Sequence, residues 1–264
     1  MRADEMPMAR LAKLLEHGRS GVGKTWSSAR ATRDPERTVI ALTESQGALQ
    51  IRQSNPHATI VPIREFEDWR DFVRAMTAPH PDCRGEGCDD CAGTGVKGRT
   101  KWDAVVMDSI TDLQRFIKVH VATDKSRPAG NRKLREGVLA MDDWQVVGSY
   151  LERALRALRD MPYHVVCTAI TDETISEDGS ITARPALQGY AKTVVGQYFN
   201  AICHLQTRRG EGDEVIREGT FDSPGDAVLC KPSPALEAVE PVDVASWLER
   251  LSTYTSEDED GGEL

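Results

Sequence analysis

The chain has no apolar run approaching the roughly 20 residues needed to cross a bilayer. Its early apolar stretch, Leu11 to Leu15, is too short for the apolar region of a signal peptide. A membrane-bound or exported protein is therefore not expected, and a cytoplasmic one is. Internal repeats are missing as well. With 264 residues and 39% hydrophobic content, the chain is able to bury one large core, so any second unit must be a small insertion. Scattered disulfide frameworks are also missing: three of the six cysteines fall between Cys83 and Cys91, and the others sit singly in apolar segments. In a reducing compartment such clustering points to a metal.

Positive charge is in deficit. The formal net charge of -9 argues against a nucleic-acid partner in general terms. Five of the acids, however, are Glu257, Asp258, Glu259, Asp260 and Glu263, and without them the balance is -4. Residues 253–264 read as a disordered acidic tail, or as a docking peptide for a basic partner.

What is present is an alternation of short Val- and Ile-rich runs with longer helical patterns. Runs at Thr38 to Leu42, Thr59 to Ile63, Ala104 to Met107 and His164 to Ile170 read as strands. Between them, Phe66, Trp69, Phe72, Val73 and Met76 recur at helical spacing, as do Trp144, Val147, Leu151, Leu155 and Leu158. This predicts an α/β fold with a mostly parallel central sheet flanked by helices. Turn residues at Glu177-Asp178-Gly179 and Arg209-Gly210-Glu211-Gly212 predict C-terminal hairpins, and a last helix is expected from Val242 to Leu251. One domain over residues 1–252 is expected, followed by the tail.

Residues 18 to 25 read Gly-Arg-Ser-Gly-Val-Gly-Lys-Thr. A polyphosphate is held by backbone N–H groups, and Gly18, Gly21 and Gly23 permit the wrap, with Arg19, Ser20 and Val22 completing the loop. Lys24 is expected to reach the β and γ phosphates of ATP and the Thr25 hydroxyl to bind Mg2+. The preceding Leu11 to Leu15 reads as strand or as helix; Trp26 to Ala31 is able to continue as a helix.

Trp102 to Ser109 is a buried-type strand ending in an acid. Asp108 suits the carboxylate that orients Mg2+, or equally a cap for the next helix. Ser109 follows it where many P-loop ATPases carry a glutamate, so a base for water must come from elsewhere. Glu44, at the C-terminal edge of its strand, is the candidate base.

Between strands, residues 79–98 hold His80, Cys83, Cys88 and Cys91 among glycines. The spacing suits a structural Zn2+ knuckle with three thiolates and a fourth ligand, His80 or one of Asp82, Asp89 and Asp90. A segment this small cannot form a core, so metal would supply its folding energy. Further on, Lys125, Arg127, Arg132, Lys133 and Arg135 form a basic run without an acid, interrupted by Pro128 and Gly130, and so a candidate phosphate-tracking loop. Lys97, Arg99 and Lys101 are a possible second phosphate-binding face.

From Leu14 to about Leu251 these features resemble the RecA-like ATPases, in particular the short RecA-like proteins of bacteriophages that act in single-strand annealing and recombination. The match rests on Gly18 to Thr25, on Val105-Val106-Met107-Asp108-Ser109 and on Thr38 to Glu44. The resemblance implies a RecA-like P-loop NTPase core that hydrolyses ATP, with Glu44 as catalytic base and Lys24 and Asp108 in the catalytic site. It implies that Val165 to Thr168 is the sensor strand, with Thr168 or Thr171 near the γ-phosphate. It implies a ring or filament in which a neighbour's cation completes the site; the strand Ala227 to Lys231 resembles the segment carrying it, so Lys231 takes that role, with Arg208 and Arg209 in reserve. It places the 125–135 run where such proteins contact single-stranded DNA, with a single-strand-binding protein as a possible further partner. Other P-loop readings are a helicase-like motor, a small-molecule kinase, for which no arginine-rich lid is recognisable, and a non-catalytic ATP-dependent assembly switch that recruits replication proteins.

Overall fold

The structure is a computed structural model, and it describes residues 11–124, 139, 141–175, 181–210, 212, 214–223 and 227–254. Five parallel strands build its centre: β1 (Lys13–Gly18), β2 (Thr38–Leu42), β3 (Thr59–Pro62), β4 (Ala104–Asp108) and β5 (His164–Ile175). Three more extend the sheet: β7 (Ala201–Arg209), β8 (Val215–Thr220) and β9 (Val239–Pro241), in the order β3-β2-β4-β5-β1-β7-β8-β9. A further strand, β6 (Ile181–Pro185), pairs antiparallel with the outer half of β5. The last described helix ends at Thr253, one residue past the expected domain limit at 252.

The central strands read as continuous apolar runs because both faces are covered. Alternate side chains feed two cores. Leu15, Val39, Ala41, Val105 and Met107 face α3 (Phe66–Met76), α4 (Ile110–Thr123) and α5 (Met141–Asp160). Leu14, Ile40, Leu42, Ala104 and Val106 face the opposite layer, where α7 (Val244–Thr253) packs with Trp247 and Leu248. The predicted stripe of α3 is buried at Phe66, Trp69, Phe72 and Met76, and that of α5 at Val147, Leu151, Leu155 and Leu158. No described helix is long and apolar enough to cross a membrane.

The ambiguity over the first apolar run resolves as strand. Lys13 is in it because its Nζ donates to the carbonyls of Met161 and Tyr163, each at 2.6 Å, so a charged residue is satisfied inside the sheet. Four readings need correction. The strand ending at Ile170 continues to Ile175, because its outer half gains a partner in β6. β7, expected only as half of a hairpin, is also a parallel partner of β1, from Leu14 with Ala201 to His17 with His204. Ala227 to Lys231 is not a strand but makes two isolated bridges, Val228 with Ala183 and Lys231 with Ile202. The last helix begins at Val244, later than expected, since the Asp243 side chain caps it by accepting from Ser246 N at 3.1 Å. The basic run 125–135 and the acidic residues 257–263 lie outside the described residues.

Candidate nucleotide site and cysteine cluster

β1 ends at Gly18, and α1 (Lys24–Ser28) starts immediately after Gly23, leaving the five residues between as an open turn. A side chain at Gly18 would put its Cβ 2.5 Å from the Leu205 carbonyl oxygen on β7, so glycine is required by that close approach. Gly23 has φ 104°, in the left-handed region, and leads directly into the helix. Lys24 Nζ folds back over the turn and donates to the carbonyls of Gly18 at 2.8 Å and Arg19 at 2.9 Å. Burial holds the Lys24 ammonium below its ordinary pKa, against the pull of Asp108, Glu16 and Glu44.

β4 delivers Asp108 to the same cleft. Its Oδ2 accepts from the Thr25 hydroxyl at 2.7 Å and its Oδ1 from the Thr168 hydroxyl on β5. Burial raises the Asp108 pKa, and the two hydroxyls and Lys24 oppose the rise. The capping alternative for Asp108 falls away, because the cap of α4 is Ser109: its side chain accepts from Asp112 N at 3.3 Å. Of the two threonines expected near the γ-phosphate, Thr168 is engaged with Asp108, while the Thr171 hydroxyl sits 2.9 Å from His17 Nδ1.

Glu44 lies just past β2, exposed, on the wall of a cleft of about 370 Å³ that also contains Ser20, Lys24, Thr25 and Asp108. Desolvation first, then the charges of Asp112 and Asp108, raise its pKa from the ordinary glutamate value. A raised pKa makes a carboxylate a better proton acceptor near neutrality. Sequence reasoning missed Asp112, a buried acid on the first turn of α4 that receives the Ser109 hydroxyl at 2.8 Å and Arg115 Nη1 at 2.9 Å. Its signal was the i, i+3 spacing from Ser109, which reads equally as an ordinary first-turn acid.

The cations are sorted differently from expectation. Lys231, assigned to a neighbouring subunit's site, is tied to its own chain: its Nζ donates to Phe199 O at 2.6 Å and Gly196 O at 3.2 Å. Arg208 is paired with Glu218 at 2.6 Å. Arg19 Nε donates to Glu173 Oε1 at 2.6 Å and its Nη2 to Oε2, which joins the phosphate loop to the β5–β6 hairpin. Arg217 on β8, not foreseen, lines the cleft instead. Arg99 is also spoken for, since it pairs with Asp103 at 3.0 Å, and Lys101 stacks on Trp102; the second basic face is mostly structural.

At the other end of the sheet, before β4, the chain closes a small loop by bridging Pro79 with Val96. There His80, Cys83, Cys88 and Cys91 bring one donor atom each within 4.8 Å of one another. Cys88 Sγ and Cys91 Sγ are 3.6 Å apart, Cys83 Sγ and Cys91 Sγ 3.9 Å, and His80 Nδ1 is 3.7 Å from both Cys83 and Cys88. A tetrahedral ion with metal–sulfur bonds of about 2.3 Å has sulfur–sulfur edges of about 3.8 Å, so the donor set fits such an ion without rearrangement. Backbone N–H groups of Cys88 and Gly95 point at Cys91 Sγ at 3.3 and 3.2 Å, which favours a thiolate there. Of the alternative fourth ligands, Asp82 lies behind the imidazole, 4.0 Å from His80 Nε2.

A glycine-rich turn between strand and helix, with a lysine over it and a buried acid from a neighbouring strand against its threonine, defines a P-loop ATPase fold. The chain belongs to a family described as an AAA domain, which matches residues 11–225. No curated protein matches it. Among solved structures it is similar to the flagellar accessory protein FlaH from Methanocaldococcus jannaschii, at 10% identity over 79% of this chain and 76% of that one, with a TM-score of 0.34. So distant a likeness adds nothing to what the cleft and the family establish.

Proposed function

We propose that this protein is a Mg2+-dependent ATPase of RecA-like type that acts on single-stranded DNA in phage recombination, annealing or repair. The observation that carries the ATPase part is the Thr25–Asp108 hydrogen bond beneath Lys24, which brings a metal-binding hydroxyl, its carboxylate and a phosphate-seeking ammonium together at one turn. Thr25 and Asp108 are the residues to hold Mg2+, which when bound neutralises charge on the β and γ phosphates. Lys24 leaves the loop carbonyls for phosphate oxygens. Glu44 orients and deprotonates the attacking water, and the neighbouring Asp112 charge helps hold its proton affinity up. The Cys3His cluster holds a structural Zn2+ that keeps the insertion folded.

Single-stranded DNA is supported by the five cations from Lys125 to Arg135 between α4 and α5, a run able to follow a phosphate backbone without reading bases. Carried by every subunit of a homo-oligomer, such a run would bring many phosphate-binding cations to one assembly. A single-strand-binding protein is a natural partner on the same strand. The test is ATP turnover with and without single-stranded DNA, together with DNA affinity across a salt series. Stimulated turnover is expected, with affinity falling as salt rises and the slope shrinking when the five cations are replaced by Ala. Unchanged turnover and no DNA binding at low salt would remove the DNA reading and leave the ATPase. Turnover indifferent to Glu44→Gln would favour the assembly switch.

A further inference from the structure

The phosphate loop has an arginine against its back that the sequence pattern did not single out. Arg217 lies on β8, and a methyl group added at Gly23 would sit 3.0 Å from its Nε and 3.3 Å from its Cδ. The side chain is exposed and forms part of the wall that includes Lys24 and Thr25. The acids of the surrounding strands are committed elsewhere. Glu218 is paired with Arg208, Glu240 with Arg250 and the Trp247 indole, and Asp243 with Arg33 and the cap of α7. Among the described residues no carboxylate is paired with the Arg217 guanidinium, although it borders a site whose ligand carries concentrated negative charge.

The sheet order fixes the direction of its approach. β4 and β5, with Asp108 and Thr168, lie on one side of β1, whereas β7 and β8 lie on the other. The metal-binding hydroxyl and its acid mark the transferred-phosphate side of the loop. Arg217 therefore reaches the loop from the flank opposite Asp108 and Thr168, away from the side that the metal-binding acid marks.

We infer that Arg217 is a binding residue supplied by the same chain for the α and β phosphates, so that it holds ATP and ADP equally. This rests on the nucleotide-binding reading of the cleft. An interaction made equally in substrate, transition state and product strengthens binding without accelerating the chemical step. Such a contact differs from a finger on the γ-phosphate, which would act on turnover.

The test compares wild type with Arg217→Ala, Arg217→Met and Arg217→Lys, using fluorescent ATP and ADP analogues for affinity and phosphate release for kcat. Met keeps the aliphatic stem packed against Gly23, so any loss it shows comes from charge and hydrogen bonding. Ala and Met are expected to weaken both nucleotides by the same factor, roughly 10- to 100-fold for a charge-assisted contact, with Lys partly restoring them. At saturating ATP, kcat should stay within about threefold of wild type. Wild-type affinity in the Met variant would overturn the assignment, and so would a loss confined to ATP or a collapse of kcat. If the wild-type protein itself binds neither analogue, the nucleotide reading of the cleft fails, an outcome distinct from failure of Arg217 alone.

Discussion

The Thr25 hydroxyl donates to Asp108 Oδ2 at 2.7 Å, across 83 residues of sequence, and so the phosphate turn and the acid of β4 are one unit. In this arrangement Asp108 is buried and satisfied on both oxygens by hydroxyls, from Thr25 and Thr168. A neutral amide in its place keeps a hydrogen-bond acceptor but loses the charge that a divalent cation requires. Asp108→Asn is therefore expected to retain the fold and lose at least about 100-fold in Mg2+-dependent ATP turnover, measured as phosphate release. Turnover near the wild-type level would remove Asp108 from the site.

After desolvation, the Asp112 charge is a main cause of the raised pKa of Glu44, which gives the two acids separable roles. Glu44→Gln should lower kcat by about 100-fold or more with ATP affinity intact. Because desolvation and the neighbouring Asp112 and Asp108 charges raise the Glu44 pKa, the acid limb of the wild-type kcat/KM profile should lie above that of an unperturbed glutamate. Asp112→Asn relieves one of those charges and should move that limb to lower pH. A limb that stays in place in the Asn variant would dissociate the pair.

The cysteine cluster predicts about one tightly bound Zn2+ per chain, released by strong chelators or by Cys88→Ser, with a fall in thermal stability on release. Metal analysis of the purified protein and a melting curve before and after chelation check this. Replacing the ion by Co2+ should give the visible absorption of a tetrahedral thiolate site. Stoichiometric disulfide in place of metal would contradict it.

Glu16, fully buried in β1 beside the Ser27 hydroxyl, is pushed by burial from 4.5 up to about 8. The unfolded chain releases this proton near 4.5 while the folded chain retains it until about 8. Its contribution to stability is thus complete below the lower value and is lost as pH rises through the upper one. Against Glu16→Gln, which has no proton to release, the wild type should lose up to about 1.4 kcal/mol per pH unit inside that window. Denaturant unfolding of both proteins across the window measures the difference, and parallel stability curves would refute it.

Much of the centre was legible in sequence because its physics is local. Val- and Ile-rich runs buried on both faces, the stripes of α3 and α5, and the glycine turn before Lys24 all declare themselves within a few residues. The clustering of His80, Cys83, Cys88 and Cys91 was legible for the same reason. What escaped depends on which strands become neighbours. β7 is read as a hairpin until its pairing with β1 is known, and Lys231 looks like a free cation until the carbonyls of Gly196 and Phe199 are found beneath it. Arg217 lies 194 positions after the glycine it touches, and no spacing rule links them. Asp112 was hidden because an acid in a helix's first turn is commonplace.

The most direct measurement is titration of the purified protein with ATP and Mg2+ in a calorimeter, alongside Lys24→Ala. Saturable one-site binding by the wild type, weakened roughly 10-fold or more once the ammonium is removed, is the predicted result. Absence of binding by the wild type, or equal affinity in the two proteins, would contradict the claim that this turn grips a nucleotide's phosphates.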